Sequence, residues 1–169
     1  MKFTHYTLLL AISLIVLSSC EKKEYLRGVE EMDHHYYAVF IPNNNSNTIV
    51  NRNQAALVKF PVQFYSTFTR EYDAIAKYAF VKTGISNLAV VGQDFAIVDR
   101  NGNVIPTSDS TYTLVFPKAV QATDTIYVKL LNSTTPGTRR IEIQLMENKT
   151  DKFYVDIFST AFRRPLEIR

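Results

Sequence analysis

The chain has 169 residues, 46% of them hydrophobic, with 10 Tyr and 11 Phe but only 5 Gly and 6 Pro, a composition that excludes a disordered or low-complexity chain and supplies a real core. A formal net charge of +3 with both signs interspersed is too small and too mixed to argue for a nucleic-acid partner. Cys20 is the sole cysteine, so no internal disulfide can form and packing must hold the fold.

At the N-terminus, Lys2 precedes an uncharged apolar run from Thr7 to Leu17. That run is the length of a signal peptide and shorter than the roughly 20 residues a spanning helix needs. Leu17-Ser18-Ser19-Cys20 resembles the lipobox of bacterial lipoprotein signals: an apolar residue, two small residues that let a peptidase close on extended backbone, and the cysteine that becomes the new N-terminus. The expectation is that residues 1–19 are removed and that Cys20 carries acyl chains, several of which anchor firmly where one holds only marginally. An ordinary secretory signal with a chance cysteine is the alternative. Lipidation would place the protein in the cell envelope, anchored at the outer membrane, with either face open. About 150 residues then remain, the size of one domain. Glu21-Lys22-Lys23-Glu24 is charged and solvated, so residues 20–33 read as lipidated cysteine plus tether, and residues 34–169 as the folded domain.

Tyr36 to Ile41 is aromatic and β-branched and stops at Pro42 and an asparagine-rich loop, the pattern of a strand. Its closeness to the tether suggests an available sheet edge. Ala55 to Thr69 alternates, with Val58, Phe60, Val62 and Phe64 on the apolar parity; Pro61 within it suggests an edge or a bulge. Tyr72 to Lys82 suits either a helical face or a strand, with strand preferred. Asp94 to Asp99 and Asn103 to Ile105 flank Asn101-Gly102, which predicts a tight hairpin with positive φ at both central residues. Thr111 to Phe116, Thr125 to Leu131, Arg139 to Met146 and Lys152 to Phe158 complete the strands, with a turn at Pro136-Gly137. Short strands with a turn signal every ten residues or so predict an all-β antiparallel sandwich.

Ala89-Val90-Val91-Gly92-Gln93-Asp94-Phe95, followed by the strands around Leu114 and Val128, resembles the pattern of Calx-beta-type immunoglobulin-like sandwiches. The same segments, with the closing Phe158-Ser159-Thr160-Ala161-Phe162-Arg163-Arg164-Pro165, resemble a family of Bacteroidota lipoprotein domains often encoded near starch-utilisation-type glycan uptake systems. The resemblance covers residues 36–165 and implies an immunoglobulin-like, Calx-beta-like β-sandwich. It also implies a non-catalytic binding role accessory to glycan or nutrient uptake, with glycans or outer-membrane uptake proteins as partners.

Some Calx-beta domains bind calcium, which makes Asp94, Asp99, Asp109 and Asp124 candidate ligands. Each sits singly beside a turn, where Asp bonds local amides, whereas calcium needs several converging oxygens. The turn reading is preferred and no metal or cofactor is expected. His34-His35 would point to opposite faces of a strand and read as solvated strand-edge residues. No nucleophile elbow, P-loop or zinc-protease motif occurs, so the chain reads as no enzyme and no catalytic residue is assigned. The suggestive feature is aromatic. Tyr36, Tyr37, Tyr65 and Tyr72, if exposed, would stack on sugar faces, against the plainer reading that they fill a disulfide-free core. A structural or adhesive subunit, adding a strand to a partner's edge, is the alternative function.

Overall fold

Successive side chains on an extended chain point to opposite faces, so each alternating segment must bury one parity and expose the other. The structure, a computed structural model, describes residues 30–106 and 110–169. The leader 1–19, Cys20, the charged part of the tether and Asp109 lie outside the described residues. After a 3-10 turn at Glu30–Asp33 come β1 (His35–Phe40), β2 (Thr48–Val50), β3 (Val58–Tyr65), β4 (Ala74–Val81), β5 (Phe95–Val98) and β6 (Thr111–Phe116). Then follow β7 (Ala122–Leu130), β8 (Arg139–Met146), β9 (Asn148–Lys149), β10 (Tyr154–Ile157) and β11 (Arg163–Ile168). One sheet has the order β5-β7-β3-β1-β10-β9 and the other β2-β11-β8-β4-β6. Their inner faces meet over a core that includes Phe40, Phe60, Phe64, Phe95, Phe116, Ile126, Ile143 and Leu145. This is the all-β sandwich expected from the sequence.

β3 buries Val58, Phe60, Val62 and Phe64 and turns Lys59 and Tyr65 to solvent, as its alternation required. β4 resolves the ambiguous stretch as a strand with strictly alternating burial. Two strand pairings are parallel, β1 with β10 and β2 with β11; the other pairings between these strands are antiparallel, as predicted.

Three expectations change. β1 is an interior strand, flanked by β3 and β10, so the Tyr36 to Ile41 segment offers no edge and His35 is no strand-edge residue. β3 is likewise interior, between β1 and β7. Its Pro61 is tolerated because the Pro61 carbonyl faces Ile41, whose N–H it accepts at 2.9 Å. In a strand a residue's N and C=O point the same way, so the missing N–H falls where β1 has just ended. The hairpin after β5 is also not the two-residue turn expected. Gly102 N–H bonds Asp99 O at 3.0 Å and Asp99 N–H bonds Asn103 O at 2.8 Å, with positive φ at Gly102 (88°) and not at Asn101. That is a three-residue connection closed by a bulge. Its return arm is a single bridge, Val98 to Val104.

Candidate functional site

β1 carries His35, Tyr37 and Val39 on one parity and Tyr36, Ala38 and Phe40 on the other. The second set faces the core, so the first lines the outer face of the sheet. Register then brings further rings alongside. Tyr37 lies opposite Tyr65 on β3, and His35 opposite Tyr154 on β10. The His35 imidazole stacks between Tyr37 (5.1 Å between centroids) and Tyr154 (4.5 Å), and its Nε2 meets the Asp156 carboxylate at 3.0 Å. The Glu147 carboxylate beside the Tyr154 hydroxyl holds that phenol well above its ordinary value. Phe158, just past β10, meets Tyr37 edge-on at 6.0 Å.

At one end this aromatic stripe opens into a groove of about 200 Å³ lined by Tyr37, Val39, Asn43, Tyr65 and Phe158. Tyr65 is 42% and Phe158 45% exposed, rings on the surface where a ligand can reach them. The groove's side chains offer apolar faces, two phenol hydroxyls and one amide, a combination suited to holding a ligand and containing no pair of acid and base.

The four tyrosines singled out in the sequence divide two and two. Tyr37 and Tyr65 meet in the groove. Tyr36 does not: it is 1% exposed, its ring packs on Phe64 at 5.1 Å, and its hydroxyl accepts from Arg70 Nε at 3.1 Å. Tyr72 is held inward, its ring stacked on Phe153 and its hydroxyl bonded to Tyr36 (2.7 Å) and to His34 Nδ1 (2.5 Å). The structure thus places the Tyr36 ring in the core and the part-buried Tyr72 ring against it, with neither in the groove. Val39, Asn43 and Phe158 were missed; only the pairing of β1 with β3 and β10 reveals them.

Of the acidic residues named as candidate ligands, Asp94 stands apart, while Asp99 and Asp124 line one cleft. Asp94 is buried and accepts Val90 N–H at 2.8 Å. Asp99 takes the amides of Asn101 (2.8 Å) and Asn103 (2.9 Å) within its hairpin, and these bonds, led by those from Asn103, hold its carboxyl below the ordinary value. Asp124 accepts its neighbour's Thr125 N–H at 2.7 Å. Among the described residues no three His, Cys, Asp or Glu side chains converge, and no helix is long and apolar enough to cross a membrane.

No protein-family model and no curated protein matches the sequence. Among solved structures, the chain is similar to the apo form of a Calx CBD1 domain, at 15% identity over 79% of this chain and 97% of that one, with a TM-score of 0.50. A CBD12 structure from CALX1.2 aligns at 16% identity over 78% of this chain and 44% of that one, TM-score 0.47. A cohesin–dockerin complex from Clostridium thermocellum aligns at 8% identity over 80% of this chain and 99% of that one, TM-score 0.34. The likeness to the CBD1 domain supports an immunoglobulin-like, Calx-beta-like sandwich and speaks to fold alone.

Proposed function

We propose that the protein is a lipid-anchored protein of the outer membrane whose sandwich is a non-catalytic binding module, accessory to glycan or nutrient uptake. The observation that carries this reading is the groove of Tyr37, Tyr65 and Phe158. Sugar rings present C–H faces that stack on aromatic rings and hydroxyl edges that bond phenols and amides, and the groove offers both, with Tyr37 and Tyr65 set on paired strands. The Leu17-Ser18-Ser19-Cys20 segment supports attachment through Cys20. The resemblance to envelope lipoprotein domains supports the uptake setting.

Two experiments test it. Cells expressing the full chain or Cys20→Ala are fractionated; the wild type is expected in the outer-membrane fraction and the variant in soluble fractions, and retention of the variant in the membrane would sink the anchor. The full chain, extracted in detergent, is then applied to a glycan array beside the double variant Tyr37→Ala, Tyr65→Ala. A glycan signal that the double variant loses supports the groove, and a blank array rejects glycan binding.

A second reading rests on β6, the longer edge strand of the second sheet, which exposes Val115 at 48%. Such an edge can accept a partner's strand. If it does, Val115→Lys abolishes partner binding and the groove variant leaves it intact.

A further inference from the structure

On β7, Asp124 shares its parity with Ile126 and Val128, both buried in the core, yet it is itself exposed. The cause is a cleft of about 500 Å³, lined from both sheets, that opens between them at this end. Its volume lies within the range of about 300–1,000 Å³ usual for small-molecule sites. Thr113, Thr125 and Asp124 stand in its walls, the hairpin residue Arg100 lies on its rim, and Leu114 and Ile126 supply apolar surface.

Tyr78 also lines the cleft. Its side chain is 2% exposed, its ring is stacked on Tyr112 at 5.2 Å, and among the described residues its hydroxyl makes no hydrogen bond. Burial, helped by Tyr112 and by the charge of Asp124, holds the Tyr78 phenol well above its ordinary value, so it remains a donor at any physiological pH.

We infer that this cleft is a second ligand site, separate from the aromatic groove, which takes a small neutral polyol the size of a single sugar unit. The inventory fits that class. Asp124 accepts from ligand hydroxyls, Tyr78 donates, and Leu114 with Ile126 meets the C–H face. The charged lining residues are Asp99, Asp124 and Arg100, a net −1 that disfavours an anionic ligand and admits a neutral polyol. Asp99, the other acid at the cleft, already holds its own hairpin amides. The observations are independent of the groove, and either site can fail alone.

The test is calorimetric titration of the detergent-extracted full chain with glucose, galactose, mannose and N-acetylglucosamine. The wild type is compared with Asp124→Asn, Tyr78→Phe and the double variant Tyr37→Ala, Tyr65→Ala, all checked for unchanged melting. The expected result is saturable binding of at least one sugar, weakened fivefold or more by Asp124→Asn and by Tyr78→Phe, and held within twofold by the groove variant. Asp124 is exposed, so its substitution leaves folding intact and reads binding alone. No saturable binding by any of the four sugars, or a smaller loss in Asp124→Asn, overturns the assignment. So does binding lost in the groove variant, which would instead return the sugar to the groove.

Discussion

Arg164 shows how one side chain couples the end of the chain to the groove. It is 2% exposed, and burial lowers its pKa from the ordinary guanidinium value. The guanidinium donates to the carbonyls of Pro42 and Asn44, to Asn44 Oδ1 at 2.9 Å and to Ser46 Oγ at 3.1 Å, and lies over the Phe40 ring at 5.4 Å. All four acceptors are neutral, so hydrogen bonds and the face of the Phe40 ring accommodate the charge. The loop it pins, 42–46, includes Asn43 of the groove. Pro42, Asn44 and Ser46 are exposed, so water can replace part of what the guanidinium donates. What is lost is the net worth of hydrogen bonds from a charged donor, about 1.5 kcal/mol each, partly offset by no longer burying a charge. Arg164→Met is therefore expected to lower stability by about 3 kcal/mol in urea unfolding. Arg164→Lys should recover little of this, because a single ammonium cannot reproduce the planar fork.

At the scale of elements, turns depend on backbone sterics more than on contacts. Gly102 sits at φ 88° with nothing within 4 Å of where a Cβ would stand, so Gly102→Ala meets no clash and its cost is that of a left-handed backbone alone, about 1 kcal/mol. Gly102→Asn should cost clearly less, since Asn tolerates that region; the two are compared by denaturant midpoint. The Asn101-Gly102 pair marked this turn in the sequence but not its type, because the Asp99 carboxylate, bonded to three groups of the loop, selects the longer connection. Strands with strict alternation, such as β3 and β8, were legible because one period carries the whole signal, whereas the β4 stretch also suited a helical face and was only preferred as a strand. β11 was not: Arg163-Arg164-Pro165-Leu166-Glu167-Ile168 hides its apolar parity, since Arg164 holds a loop and Glu167 is paired with Arg140 at 3.0 Å and Arg169 at 2.7 Å. The parallel partnerships of β1 with β10 and β2 with β11 were likewise invisible, for they join residues over a hundred apart in the chain and leave no local pattern. The groove depends on the first of these, which is why the sequence yielded its tyrosines and missed Phe158.

Across the whole molecule, strand parity separates stability from recognition, and neighbouring residues of β3 make the separation measurable. Phe64 belongs to the first sheet and its ring stacks on Phe116 of the second at 4.7 Å and 15°, with both buried. It therefore ties the two layers together in a chain whose single cysteine leaves no internal disulfide to do so. Truncating a buried Phe costs about 3–5 kcal/mol, against a total of about 5–15 kcal/mol for a domain of this kind. Phe64→Ala should remove a large share of the stability in one cooperative transition, lowering the midpoint of both sheets together. Tyr65, one residue on, points the other way and is 42% exposed; Tyr65→Ala should shift stability by no more than about 0.5 kcal/mol while weakening any ligand held in the groove. The pair is read by circular dichroism during urea unfolding and by binding of whichever glycan the array identifies. A Tyr65→Ala chain that is markedly unstable would mean that the outer aromatic stripe is structural, and its role as a contact surface would then be abandoned. A Tyr65→Ala chain that stays stable and binds poorly would show that an outward parity next to the core carries the recognition.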